Sequence, residues 1–206
     1  MILLNINTMC QKLDRLKNSD IMQLRDAQLC IMQRKPRKEI HVFMDYLRID
    51  DRLIHGQIVT AWCGHFKINE IIAIDDALAA NKTLQSIMLM GIPKQYKSHV
   101  VTMAEAKEIF AQPSDGNRLF VTRLPQDLSN LREELKKCEM VVIGNAAKRA
   151  DTRFNLTKGG GSVFFASEAD IKLLDEIAAD GVKLVYQTVP KSPSKEWPDI
   201  RKGIKL

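Results

Sequence analysis

The run Arg48-Ile-Asp-Asp-Arg-Leu-Ile-His-Gly-Gln57 places two guanidiniums, two carboxylates and a histidine within ten positions. A strand ends just before this run, and a helix is expected to begin at about Gln57. A histidine immediately ahead of a helix lies beside unpaired backbone N–H groups and the positive end of the dipole, a setting that favours an anion. Arg48 and Arg52 carry planar forks that can hold two phosphate oxygens at once. Gly56 lets the backbone approach a ligand closely. Asp51 is a candidate to orient the imidazole or to hold an arginine. Together these are the parts of a phosphohistidine site, with His55 as nucleophile and the arginines as anion donors. The same residues also read as a solvated loop of mixed charge, and residue types alone leave both readings open.

Other residues offer less. Cys63-x-His65 is too sparse for zinc, which takes about four ligands in structural sites. His41 lies at the junction with the leader, and His99, in or beside a strand, has no acidic neighbour in sequence. Gly159-Gly-Gly161 precedes a strand, where phosphate-binding glycine motifs precede a helix, and is expected to be a turn. Asp75 and Asp76 end a strand at the edge where ligands collect; capping of the next helix explains them equally well. Trp62 and Trp197 are expected to pack. The cysteines Cys10, Cys30, Cys63 and Cys138 are widely separated and suggest isolated thiols in a reducing compartment.

Of the 206 residues, 45% are apolar and 27% charged, an ordinary balance for a globular protein. No apolar run approaches the roughly 20 residues of a spanning helix, and the N-terminus is a poor match to a secretory signal. These features suggest a cytoplasmic protein. The net charge of +6 is uneven: residues 1–43 hold eight Lys/Arg against four Asp/Glu, and the other 163 residues hold 23 against 21. The excess therefore belongs mainly to the leader. With no basic stripe of interleaved aromatics, nucleic acid is not an expected partner.

Stepping outward, residues 1–43 read as an N-terminal extension or linker, with loosely helical spacing and a basic, proline-broken end. Regular structure starts near Met44, where the native chain is expected to begin, and residues 44–206 form one domain. Strands are expected at 42–49, 68–74, 99–102, 119–122, 140–143, 162–166 and 183–189. Helices are expected at 56–65, 77–90, 104–111, 127–137 and 171–179. This alternation implies βαβ units in an α/β fold: a mainly parallel, doubly wound sheet of six to seven strands with helices on both faces. In such folds ligands sit beyond the carboxyl ends of the strands, where strand order reverses. The loop carrying His55 is one of those loops.

The run Arg48–Ile58 resembles the phosphorylation-site signature of the enzyme IIB component of the bacterial sugar phosphotransferase system, mannose/fructose/sorbose class. Ile71-Ile-Ala-Ile-Asp-Asp-Ala-Leu-Ala-Ala-Asn81, Val141-Val-Ile-Gly-Asn145 and Gly160-Gly-Ser-Val-Phe-Phe-Ala-Ser167 are also similar to segments of that family. The resemblance implies that His55 accepts a phosphoryl group on Nδ1 from a phosphorylated IIA protein. It then passes the group to a sugar held by membrane IIC and IID components, so the protein would sit at the inner face of the membrane. Neither metal nor nucleotide is required, because the donor is itself a phosphohistidine. Arg48 and Arg52 become candidates to stabilise the transferred group, with Asp51 as orienter. A homodimer is suggested by analogy. Val121-Thr-Arg-Leu-Pro125 and Gly144-Asn-Ala-Ala147 depart from the family's usual Asn-Pro and double-glycine loops. An orphan regulatory phosphoacceptor without a sugar step is the alternative, and a nucleotide-binding α/β domain a third reading, opposed by the missing glycine fingerprint.

Overall fold

A computed structural model describes residues 43–156 and 164–205. Seven strands form one sheet in the order β3-β2-β4-β1-β5-β8-β9: β1 (Asp45–Asp50), β2 (Ile68–Ile74), β3 (Lys97–Val101), β4 (Asn117–Thr122), β5 (Met140–Asn145), β8 (Leu184–Tyr186) and β9 (Lys195–Glu196). All pairings are parallel except β8 with β9. A separate antiparallel pair joins β6 (Phe154–Asn155) to β7 (Phe165–Ala166).

The strands are apolar on both faces because helices cover both. Alternation along β1 sends Leu47 and Ile49 to one side, where Ile72, Phe120 and Ile143 join them from neighbouring strands. Helices α4 (Met103–Ala111), α5 (Arg132–Leu135), α6 (Glu168–Ala179) and α7 (Trp197–Arg201) contribute to that layer, as does the 3₁₀ segment Pro125–Leu131. On the other side, Ile71, Ala73, Leu119 and Val142 meet Ile58, Trp62 and Cys63 of helix α1 (56–65) and Leu78 of α2 (Asp76–Ala79). Met88 and Leu89 of α3 (Lys82–Met90) pack against that layer. The connections leaving β1 and β2 thus lie on one face, and those leaving β3, β4 and β5 on the other. At the carboxyl end of β1 the chain turns away from the side that its neighbours β4 and β5 take, which is the switch point where such sheets hold ligands.

The expected α/β class, parallel order and two helical layers are all present. Several elements differ locally. The single helix expected at 77–90 is two, because the Asn81 side chain accepts from Leu84 N (3.1 Å) and caps a fresh start. Thr102, expected at a strand end, instead caps α4 in a reciprocal box with Glu105. The helix expected at 127–137 is largely 3₁₀, opened by Pro125. Phe165–Ala166 does not join the main sheet as a sixth strand but pairs with β6. The antiparallel edge strand β9 was not anticipated. Cys63 and Cys138 carry free thiols, and Trp197 is buried as a packing group. The readings of residues 1–42 and of the glycine turn at 159–161 lie outside the described residues.

Candidate functional site

Arg48 and Asp50 occupy alternate positions near the end of β1, so both face the α1 layer. Both are fully buried. The Arg48 guanidinium lies over the Trp62 ring, 4.8 Å from its centroid, a favourable seat for a desolvated cation. Its Nε and Nη2 donate to Asp50 Oδ2 at 3.2 and 3.0 Å. Nη1 and Nη2 also donate to the carbonyls of Gln187 (3.1 Å) and Thr188 (3.3 Å), in the loop after β8. Trp62 Nε1 donates to the Thr188 carbonyl as well, at 3.3 Å. Room for this arrangement comes from Gly144. The β1–β5 register slips by one residue there, and a Cβ on Gly144 would overlap the Arg48 guanidinium and lie 2.7 Å from the Ile49 carbonyl oxygen.

Asp50 is the hub. Besides Arg48 it accepts from Arg52 Nε (3.1 Å) and the Arg52 backbone N–H (3.3 Å), and its Oδ2 lies 3.1 Å from His55 Nε2. Burial alone would push this carboxyl up. The His55 hydrogen bond and the Arg48 and Arg52 charges outweigh it and hold the carboxyl at about 2, against an ordinary 3.8. Asp50 is therefore ionised at neutral pH.

The loop between strand and helix is tightly held. Leu53 N–H donates to the Asp50 carbonyl (2.9 Å), and Leu53 adopts φ = +53°, a left-handed conformation costing roughly 1 kcal/mol for a residue with a Cβ. Its fully buried side chain sits in the α1-side core, which holds the turn closed. His55 follows as the first carbonyl of α1, accepting from Val59 N–H at 3.2 Å. The helix has π pitch over Ile58–Trp62, a widening often found beside functional groups.

His55 is 16% exposed, and its two ring nitrogens have different partners. The Gln57 backbone N–H donates to Nδ1 at 3.3 Å, so Nδ1 carries the lone pair. Nε2 then carries the proton and donates to Asp50. Arg52 is 47% exposed and bridges Asp50 to the Gln57 side-chain oxygen, with Nη2 3.2 Å from Oε1. Two arginine charges against one carboxylate leave the cluster with an excess positive charge beside a nucleophilic nitrogen.

The expected residues thus converge, with two corrections. The carboxylate on the ring is Asp50, not Asp51. Asp51 faces β5: its carboxylate accepts from Asn145 Nδ2, and its backbone carbonyl accepts from Arg123 Nη1 at 2.6 Å. Arg48 is enclosed by Asp50, two carbonyls and an indole, so it braces the hub, and Arg52 is the guanidinium at the surface. Both loops that depart from the resemblance abut the site, since Arg123 links the Asp51 carbonyl to the Asp75 carboxylate and Gly144 accommodates Arg48. Asp75 also caps α2 at Leu78 N–H (2.8 Å), and Asp76 accepts from Met103 N–H (2.7 Å). His99 pairs with Glu70 at 3.0 Å across β2 and β3, and His65 lies at the far end of α1. Among the described residues, no group of three His, Cys, Asp or Glu side chains could hold a metal.

A family model described as the PTS system sorbose subfamily IIB component matches residues 44–205. The chain belongs to this family. As a IIB component it is 27% identical to the fructose-specific EIIB component of Bacillus subtilis over 76% of its own length and 94% of that protein. It is 28% identical to the sorbose-specific EIIB component of Klebsiella pneumoniae, covering 71% and 88%. The mannose-specific EIIAB component of Escherichia coli is also 28% identical over 74% of this chain, but the match spans only 46% of that protein, so this chain spans about half the length of that relative. In structure, the IIBSor domain of the Klebsiella pneumoniae sorbose permease superposes with a TM-score of 0.68 at 25% identity, covering 80% of this chain and 99% of that one.

Proposed function

We propose that His55 is the phosphoacceptor of this IIB component: Nδ1 takes a phosphoryl group from a phosphorylated IIA protein and yields it to a sugar held by membrane IIC and IID components. The observation that carries this reading is the division of the His55 ring between Asp50 on Nε2 and an Nδ1 lone pair that accepts from the Gln57 backbone N–H. In the first step the donor's N–P bond breaks as the Nδ1–P bond forms, while the Nε2 proton stays in place. The ring gains positive charge, which ionised Asp50 stabilises from the opposite nitrogen. Phosphoryl transfer asks for positioning and charge stabilisation more than for covalent chemistry. Arg52 and the Gln57 N–H are the donors this loop can offer to the equatorial oxygens, and the excess positive charge of the cluster suits a dianion. In the second step a sugar hydroxyl oxygen attacks phosphorus, its proton passing to solvent or to a base of the sugar-holding component, and the Nδ1–P bond breaks, returning the lone pair to the ring.

The reading implies work at the cytoplasmic face of a membrane, with the membrane supplied by other chains; no described helix is long and apolar enough to cross one. Incubation with a phosphorylated IIA protein is expected to give an acid-labile, base-stable phosphoprotein with phosphorus on Nδ1 by ³¹P NMR. His55→Ala is expected to reduce labelling to background without loss of fold, and labelling that persists in that variant overturns the assignment.

A further inference from the structure

Helix α3 buries none of its residues, although Leu84, Ile87, Met88, Leu89 and Met90 make more than half of it apolar. Met88 and Leu89 rest against the α1-side core. Leu84, Ile87 and Met90, spaced three apart, form a strip along the outer surface, exposed by 49%, 61% and 81%. The strip leads to the phosphoacceptor. Met88, Ile92 and Pro93 form one wall of a cavity of about 260 Å³, and Ile54, His55 and Val59 form the other.

The strip's own segment carries charge of one sign, with the Glu105 carboxylate of α4 near Lys82. From Lys82 to Lys97 there are three lysines and no carboxylate. Lys97 is paired with Asp115 at 3.0 Å, whereas Lys82 and Lys94 are exposed at either end of the apolar row. Any protein that brings phosphorus to His55 Nδ1 must cover the ground around it. A standard interface takes about 800 Å² from each partner, so a wall of the His55 cavity falls within that footprint.

We propose that the α3 strip is the docking surface for the phosphoryl-donor protein, which fills the cavity beside His55 with an apolar anchor and sets an acidic rim against Lys82 and Lys94. This rests on His55 being the phosphoacceptor. The lysines favour the donor over the sugar-holding component. The donor arrives carrying a phosphoryl group, whereas the acceptor presents an uncharged sugar. Three exposed side chains and a charged rim also suit a contact that must release quickly so that the next partner can reach the same histidine.

The test uses the full chain and the ³²P-labelled IIA protein encoded in the same genome, at limiting donor. The second-order rate of His55 labelling is compared among wild type, Ile87→Glu, Met90→Glu and Lys82→Glu. Each glutamate in the strip is expected to slow labelling at least tenfold. Lys82→Glu is expected to slow it several-fold at low salt, an effect that fades at about 0.5 M salt. Thermal stability, and the lifetime of phospho-His55 prepared with excess donor, should match wild type in all three. Normal loading in both strip variants overturns the proposal. So does normal loading combined with a loss confined to sugar phosphorylation in membranes, which would assign the strip to the membrane component. Wild-type protein that takes no label overturns the phosphoacceptor reading itself, and the docking proposal with it.

Discussion

Strand β1 carries two arginine–aspartate pairs, a partly buried one at its amino end and a fully buried one at its carboxyl end, and they have opposite characters. At the amino end Arg118 of β4 grips Asp45 through two parallel bonds of 2.7 Å and donates to the Ile109 (2.7 Å) and Gln112 (3.2 Å) carbonyls at the end of α4. Its guanidinium sits over Phe120, 5.5 Å from the ring centroid. That pair is closed: one cation, one anion, and remaining donors turned to a helix terminus. At the carboxyl end, on the opposite face, Arg48 has an equally complete set of partners and an aromatic seat of its own. There, however, Asp50 has capacity left over, and it extends the network outward to Arg52 and His55. The chemistry of the inner pair is nearly the same in both places. What makes one of them a site is the carboxylate's further partners at the surface.

The largest expected effect separates the two ends. Asp50→Asn removes the negative charge from a fully buried arginine, at a cost of about 3 kcal/mol, and also removes the group that steadies the charged ring. Phosphoryl loading is expected to fall about 100-fold, the size of losing one group that stabilises charge developing in the transition state, measured by rapid-quench labelling beside chemical denaturation. Asp45→Asn should cost a comparable 2–3 kcal/mol while leaving the loading rate within about twofold of wild type. A loading defect of equal size in both variants would erase the distinction.

Acid titration sharpens the contrast further. The Asp50 carboxyl is depressed in the folded state, so its contribution is complete above the ordinary 3.8 and is lost as pH falls towards about 2. Over that window wild type should lose about 2 kcal/mol more stability than Asp50→Asn, read from urea midpoints at successive pH values. The smallest expected change in stability, and the clearest split, belongs to Arg52→Gln. A half-exposed guanidinium contributes less than about 1 kcal/mol to folding, yet its loss should slow loading about tenfold. If Arg52→Gln destabilises the protein as much as Asp50→Asn, the surface guanidinium is part of the brace after all.

The sequence made the frame legible because its signals are local. Apolar runs such as Ile71–Ile74 need both faces covered, and alternating helices supply the cover. His55 and Arg52 were legible for the same reason, lying in one short loop between a strand and a helix. A strand ending at Ile49 leaves Asp50 and Asp51 alike in the loop; carried one residue further, its alternation puts Asp50 on the face of Arg48 and Asp51 on the other. The rest of the site is non-local. That Arg48 lies over Trp62, that Gly144 makes room for it and that residues 187–188 bond to it depend on strand order and register. Arg123 belongs to the same class, since its bond to the Asp51 carbonyl joins residues 72 apart.

The Arg48 bond to the Gln187 carbonyl spans 139 residues of chain. During synthesis, then, Arg48 ahead of the histidine loop emerges 139 residues before the carbonyl that braces it. Contacts of such long sequence separation form late and slowly, after the intervening loops have been closed. A chain cut short after β8 would display His55 without the loop that steadies Arg48 beneath it. With His55 as the proposed phosphoacceptor, competence to take a phosphoryl group would follow the closing of residues 187–188 over Arg48.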